Sequence, residues 1–522
     1  MSVATAFAVL LTVDGSELDV GLTVESVVAQ DYPNFQLHII DSGSESGTNS
    51  RAQAAYANDS RVRIHGPADG LDQVGLLNQV LDEITADFFL ILPAGDQLSP
   101  SSLGVVNHYL SVSDDDIDYV YSDHDEIQSN GRFANATYLP DWSPERLRSI
   151  FFSERASFFR TKLVRELGGF RSGFDGAILY DLALRVTEGA NRALHIPAVL
   201  WHVQQRVGVG VGGEASRRAI QDHCDRIGLR AEVKKLPRPG TYRLHRKIDG
   251  RPLVSIVIPT GGSTRRIWGK DRVLVLDALQ SLVETSTYQH LEVIVVADRA
   301  TPTIVVDFIR QIVGVKITLI WFDESFNFSK KCNLGAAHAV GDYLLLLNDD
   351  IEVISPDWVE TMLGLAQGNG VGMVGVKLLL ADGTLQHAGQ FMGDSRPHHA
   401  FHLYPSDFPG PGGMLQIERE CSGVTAACAM IPTRVWNEVG GLSELLPNNY
   451  NDVDLSLKVR HRGYRICWTP HAILYHFESQ SRVSTVTEEE MHFLQVRWDQ
   501  QLRVDPYGNP NLDGTSPNWV PR

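Results

Sequence analysis

Short runs of unbroken apolar residues recur along this chain, and polar residues follow each one. The clearest is Tyr343–Leu347, which reads as a strand buried on both faces, as in a parallel sheet. Further strands are expected at residues 6–13, Phe35–Asp41, Arg61–His65, Asp87–Leu92, Asp118–Ser122 and Ala193–Val203. They resume at Val254–Pro259, Leu291–Val296, Ile317–Phe322, Val371–Leu379, Val424–Ile431, Tyr464–Trp468 and Ile473–Phe477. Helical stretches are expected between them: Leu22–Gln30, Val74–Thr85, from Asp181, Val273–Val283, Asn333–Val340, Trp358–Leu365, from Asp452, and Glu488–Leu502. Strands alternating with helices mean βαβ units, so the expected fold class is α/β with mainly parallel, Rossmann-like sheets. Residues 386–420, rich in Gly, Pro and His, show little periodicity and read as a long functional loop.

The pattern runs twice. Gly168-Gly169 matches Gly440-Gly441, Tyr180-Asp181-Leu182 matches Val453-Asp454-Leu455, and Trp201-His202 matches Tyr475-His476, at an offset of about 273 residues. The breaker cluster Pro237-Arg238-Pro239-Gly240 falls between the copies, after a polar helix at 213–229. The expected organisation is two tandem α/β domains at 1–205 and 251–482, joined by a linker at 206–250 and followed by a helix and tail at 483–522.

Composition narrows the class. The chain has 522 residues, 43% hydrophobic and 21% charged, with net charge −17. That charge argues against a general nucleic-acid binder. No run of about 18 apolar residues calls for a membrane span, and the N-terminus reads as a first strand rather than a signal peptide. The five cysteines form no C-x-x-C pair, so reduced thiols in a cytoplasmic protein are expected, with no zinc site.

Chemistry is expected where strands end, because ligands of open α/β sheets bind outside the carboxyl ends of the strands. Asn348, Asp349 and Asp350 close the central strand, and hard oxygen ligands there suit Mg²⁺ or Mn²⁺ carrying a diphosphate. They could instead cap the next helix, although Ser355-Pro356 offers an N-cap and an N1 proline for it. Asp452, at a helix N-terminus, is either a general base or an N-cap. Asp454 is more naturally an i,i+4 partner of Lys458. His476 could complete a metal site or be a core histidine. Thr260, Asp298 and Asn333 lie at or near strand ends on the ligand side, and His387 falls in the long loop with His398, His399 and His402. In the first half the matching positions are Pro93, Ala94, Gly95 and then Asp96, with Leu179 opposite Asp452.

The segments Val254-Ser255-Ile256-Val257-Ile258-Pro259-Thr260, Phe326-Asn327-Phe328-Ser329, Leu347-Asn348-Asp349-Asp350, Gln386-His387-Ala388-Gly389, Asn451-Asp452-Val453-Asp454-Leu455 and Tyr475-His476 resemble a family 2 glycosyltransferase with the GT-A fold. The first half resembles the same family through Tyr121-Ser122-Asp123, Pro140-Asp141-Trp142-Ser143-Pro144 and Gly168-Gly169-Phe170. The resemblance, to tandem bacterial enzymes of O-antigen and capsule synthesis, implies inverting transfer from a nucleotide-diphosphate sugar to a glycan or lipid-linked acceptor. By the same resemblance Asp350 and His476 would hold Mn²⁺ or Mg²⁺, and Asp452 would be the base. Thr260, Asp298, Asn333, Asn348 and Asp349 would bind the donor, and His387 and Asp454 the acceptor. Two departures stand out: Asn348 replaces the first Asp of the family's DXD, and Ala297-Asp298-Arg299-Ala300 replaces Asp-x-Gly-Ser. The expected working half is the second, with the first a degenerate copy. The alternatives are a polymerase with two active halves, a non-catalytic scaffold subunit, and a nucleotidyltransferase, for which Gly261-Gly262-Ser263-Thr264-Arg265-Arg266 lacks the full phosphate-loop pattern. Peripheral membrane contact is compatible with a lipid-linked acceptor.

Overall fold

The computed structural model describes residues 4–13, 20–41, 59–66, 71–113, 116–189, 193–204, 213–477, 486–516 and 518–522. The start of the linker, at 206–212, lies outside them. The chain divides into two compact units. The first is 1–142, 150–228 and 233–242; the second is 143–149, 229–232 and 243–522.

In the first unit one sheet runs in the order Val62–His65, Phe35–Asp41, Phe7–Val13, Phe88–Pro93, Ser157–Arg160, Tyr119–Ile127, Ala193–Gln204, Gln97–Leu98. Its first four strands are parallel. The strand expected to stop at Ser122 continues to Ile127. Asp123 and Asp125 are therefore ladder residues, paired beside Val199 and His202 rather than standing at a strand end.

The second unit repeats the plan: Lys316–Phe322, Leu291–Asp298, Val254–Thr260, Tyr343–Leu347, Cys428–Pro432, Val371–Leu379, Arg465–His476, Ile351–Val353. Tyr343–Leu347 lies between a parallel neighbour, Val254–Thr260, and an antiparallel one, Cys428–Pro432. Leu344 to Leu347 are buried, which is why the run carries no polar residue. Several expectations change. The two closing strands are one strand, Arg465–His476, whose register slips beside Val376 and Lys377. The unperiodic stretch 386–420 is folded, with a hairpin of Gln390–Gly393 and Arg396–His399. Its short strands leave no long alternation to read. Gly261–Arg266 does not form a phosphate loop but leads into a second hairpin, Thr264–Ile267 with Lys270–Val273. The helix expected from Asn333 begins at Phe328, because Asn327 caps it by accepting from the Lys330 N–H at 2.9 Å. Ser355 does not cap the helix Trp358–Ala366; Asp357 precedes it, and Ser355 Oγ accepts from the Ile473 N–H. All five cysteines are buried and none is in a disulfide among the described residues, and burial pushes the Cys421 thiol up to about 12, so it is no nucleophile at neutral pH. No helix among the described residues is long and apolar enough to cross a membrane.

Candidate active site

The central strand ends at Leu347, and the chain is held as it leaves the sheet. The Asn348 N–H donates to the Ala427 carbonyl at 3.0 Å, and the Phe477 N–H donates to the Asp350 carbonyl at 2.9 Å. Ile351 then pairs with His476 across an antiparallel ladder. This register sets Asp350 beside His476: Oδ1 and Nε2 are 3.2 Å apart, and both side chains are over 90% buried. The Asn348 carboxamide reaches the same Nε2 at 3.2 Å. Its Oδ1 is buried with no hydrogen-bond partner among the described residues.

These three groups line one wall of a cleft of about 250 Å³. Asp452 lines another, as the second residue of the helix Asn451–His461. Tyr450 turns the chain into that helix with φ +58°, a left-handed conformation that costs a non-glycine residue about 1 kcal/mol or more. The Asp452 carboxylate accepts from its neighbour's N–H (Val453, 2.8 Å) and from Gln390 Nε2 (3.2 Å). An aspartate, an imidazole and an orphaned amide oxygen form a donor set that fits Mn²⁺ or Mg²⁺. Among the described residues no group of three His, Cys, Asp or Glu side chains is placed to hold a metal ion by itself. Mg²⁺ in particular keeps several waters and takes oxygens from the substrate.

A second cluster sits where the parallel strands end. Thr260 Oγ1 donates to Asp349 Oδ2 at 2.6 Å. Lys331, fully buried, donates Nζ to the Thr260 carbonyl at 2.9 Å and pairs with Asp298 Oδ1 at 2.9 Å. Thr260, Asp298 and Asp349 are thus linked through one lysine, and none of the three lines the cleft.

Three expected site residues lie elsewhere. Asn333 sits inside its early-starting helix, where its amide donates to the Leu442 carbonyl and accepts from the Leu442 N–H, both at 3.0 Å. It fastens the Gly440-Gly441 turn and does not line the cleft. Asp454 is fully buried on the far side of its helix; the Trp498 indole donates to it at 2.8 Å, and Arg497 and Lys458 stand 3.2 and 3.7 Å away. It does not line the cleft. His387 is fully buried behind His399, with Nδ1 atoms 2.9 Å apart, and burial holds it well below the usual imidazole range. His399 and His398 line the cleft. Gln390, Thr425, Asn449 and Tyr450 also line it and were not picked out in sequence. Gln390 gives no signal there, since it lies in the unperiodic stretch, while Tyr450 is marked only by its place before Asn451-Asp452.

The first unit keeps a crevice of about 240 Å³ with different chemistry. Leu179, second residue of the helix Ile178–Val186, lines it as Asp452 lines the other. Asp96 is fully buried, accepting from the Trp201 indole at 2.9 Å and the Gln204 N–H at 3.1 Å, with the Arg155 guanidinium 3.8 Å away. His202 does not face Asp96: its Nδ1 is 2.5 Å from Asp125 Oδ1, its Nε2 3.0 Å from Ser99 Oγ, and Phe133 stacks on its ring.

A family model described as "Glycosyl transferase family 2" matches residues 12–179 and 255–440. The chain is 35% identical over 515 residues to the uncharacterized protein y4gI of Sinorhizobium fredii, covering 94% of this chain and 55% of that protein. It is 30% identical over 518 residues to the O-antigen biosynthesis protein RfbC of Myxococcus xanthus, covering 96% and 40%. The chain therefore spans about half the length of these curated relatives. Among solved structures, S. aureus TarS 1–349 with UDP overlaps 42% of this chain and 65% of its own, at 17% identity and a TM-score of 0.34.

Proposed function

The chain belongs to glycosyl transferase family 2, and from that premise we propose that its second unit moves a sugar, with inversion, from a nucleotide-diphosphate sugar to a hydroxyl of a glycan or lipid-linked acceptor. The proposed setting is bacterial surface-polysaccharide synthesis, which the name of the Myxococcus relative supports. It takes place in the cytoplasm, with peripheral contact at the membrane where the acceptor is lipid-linked. The observation that carries this reading is the convergence of Asp350, His476, Asn348 and Asp452 on one cleft.

Asp350 and His476, with Asn348 beside them, are the residues that would hold Mn²⁺ or Mg²⁺. A divalent ion there supplies neutralisation of the leaving diphosphate. Thr260, Asp298 and Asp349 are assigned to the donor nucleotide, their positions tied together by Lys331. Asp452 takes the proton of the attacking hydroxyl. With the base on the face opposite the leaving group, displacement in line inverts the anomeric centre. The first unit is read as degenerate: Leu179 cannot accept a proton, and Asp96 is committed to Trp201 and Gln204.

The test is a thermal-shift panel of UDP, dTDP, GDP and CMP, with and without Mn²⁺, on wild type and Asp350→Ala. Ligands that bind the native state raise the melting temperature by mass action. A metal-dependent shift with one nucleotide, lost in Asp350→Ala, is expected. No shift with any nucleotide would favour the scaffold alternative, and a shift that survives Asp350→Ala would move the donor site away from this cleft.

A further inference from the structure

Both oxygens of the Asp452 carboxylate are held by fixed donors, and only one of these is local. Oδ1 takes the N–H of the next residue, Val453; Oδ2 takes Nε2 of Gln390, 62 residues earlier in the chain. Gln390 is itself clamped. Its N–H donates to the Gly423 carbonyl at 2.7 Å, and its carbonyl accepts from the Ser422 N–H at 3.2 Å. Its side chain is almost fully buried in the cleft wall. Facing a carboxylate, a glutamine amide must present its donor end, which turns the acceptor end away. That oxygen, Oε1, is buried without a hydrogen-bond partner among the described residues. It lies over Gly423, where an added Cβ would come within 2.4 Å of it. A leucine of similar size would fill this place without an orphaned oxygen, so stability alone does not account for the glutamine.

We propose that Gln390, seated on Gly423, is a positioning residue that fixes the Asp452 carboxylate for proton removal from the acceptor hydroxyl. The inference rests on the reading of Asp452 as the base. Gln390 holds Oδ2 in one orientation, and its N–H stabilises the anionic form that a base requires. An added Cβ at 423 would meet both the Gln390 amide at 2.4 Å and Ser456 Oγ at 2.9 Å, so glycine there seats the amide and the helix Asn451–His461 that carries Asp452.

The other ionisable groups of the cleft wall are Asp350, His398, His399 and His476. Arg396 and Glu490 act on Tyr450 at the start of the helix, and Asp454 faces away from the cleft. None of these is changed by substituting residue 390 or 423.

The experiment measures sugar transfer by Gln390→Leu, Gln390→Glu, Gly423→Ala and Asp452→Asn across pH, with nucleotide thermal shifts reporting fold and donor binding. Gln390→Leu is expected to lower kcat roughly 10- to 100-fold, the worth of one hydrogen bond to a charged group, at nearly constant donor KM. The acid limb of the kcat profile should move upward, since the anion loses a donor. Gln390→Glu, which sets a second carboxylate against the first, should move it further. Gly423→Ala should reproduce the Gln390→Leu behaviour with the glutamine still present. A filler residue would change melting temperature without moving the acid limb. The proposal is overturned if Gln390→Leu and Gly423→Ala, both with wild-type donor shifts, keep kcat within about twofold and the limb in place. Full activity in Asp452→Asn overturns the base assignment and this proposal together; loss there alongside an unmoved Gln390→Leu overturns this proposal alone.

Discussion

Arg246 is the best place to test the electrostatics of the second unit. Its guanidinium is buried, 2.7 Å from Glu145 and hydrogen-bonded to Glu418, and the two carboxylates are 4% and 2% exposed. Glu145 has two further cations, Arg148 at 2.7 Å and Arg465 at 3.2 Å, which hold its carboxyl well below the usual range. Glu418 depends on Arg246 for its hydrogen-bonded charge, and burial already pushes its pKa up. Arg246→Met keeps the aliphatic stem and removes the cation, leaving Glu418 as a buried, uncompensated charge. Breaking a buried pair from one side costs about 3–5 kcal/mol. For a unit of about 290 residues that is a fall of roughly 5–8 °C in Tm. The pH dependence has a definite sign. In the variant the folded-state pKa of Glu418 lies above its unfolded value, so the penalty is full above that raised pKa and vanishes below the unfolded carboxylate range, about pH 4.3. Urea unfolding at pH 7 and pH 5 should therefore give a smaller deficit at pH 5, and Arg246→Met with Glu418→Gln should recover most of the loss at pH 7. A deficit under about 1 kcal/mol at pH 7, or one indifferent to both pH and Glu418→Gln, would show that Glu418 is not left as a buried charge.

Three further outcomes are expected. Asp452→Asn should lower transfer by roughly 10²- to 10⁴-fold, with nucleotide thermal shifts retained; turnover near wild type in a coupled nucleotide-release assay would remove it as the base. Asp96→Asn should leave every linkage in the product intact by mass spectrometry, whereas a polymerase with two active halves requires one linkage to disappear. Gly441→Ala should destabilise by about 1–3 kcal/mol in chemical denaturation, because its φ is +63° and a Cβ would lie 2.7 Å from Asn333 Oδ1 and 2.9 Å from the Trp436 ring.

Much of this protein was legible in sequence because its signals are local. The Tyr343–Leu347 strand has the expected bounds, since a strand covered on both faces must be apolar throughout. The repeat, the α/β class and the family were readable for the same reason: strand ends and helix starts keep their residues in order. Asp350 beside His476 was suggested by motif, but the sheet register, Ile351 against His476, is what brings them together. Where a decision depended on which way a helix faces, sequence could not make it. Asp452 and Asp454 are two residues apart at one helix start; a two-residue step turns a helix by about 200°, so one lines the cleft and the other is sealed under Trp498. Asn333 and His387 carry plausible side chains that other parts of the fold had already claimed, Leu442 and His399. Gln390 and Gly423 were silent, because their roles exist only once a short hairpin is laid against a distant loop. Local patterning along the chain sets the elements and the residue types available at their ends. Tertiary structure alone decided which of those residues share a cleft, because that depends on register and rotation between segments far apart in the chain.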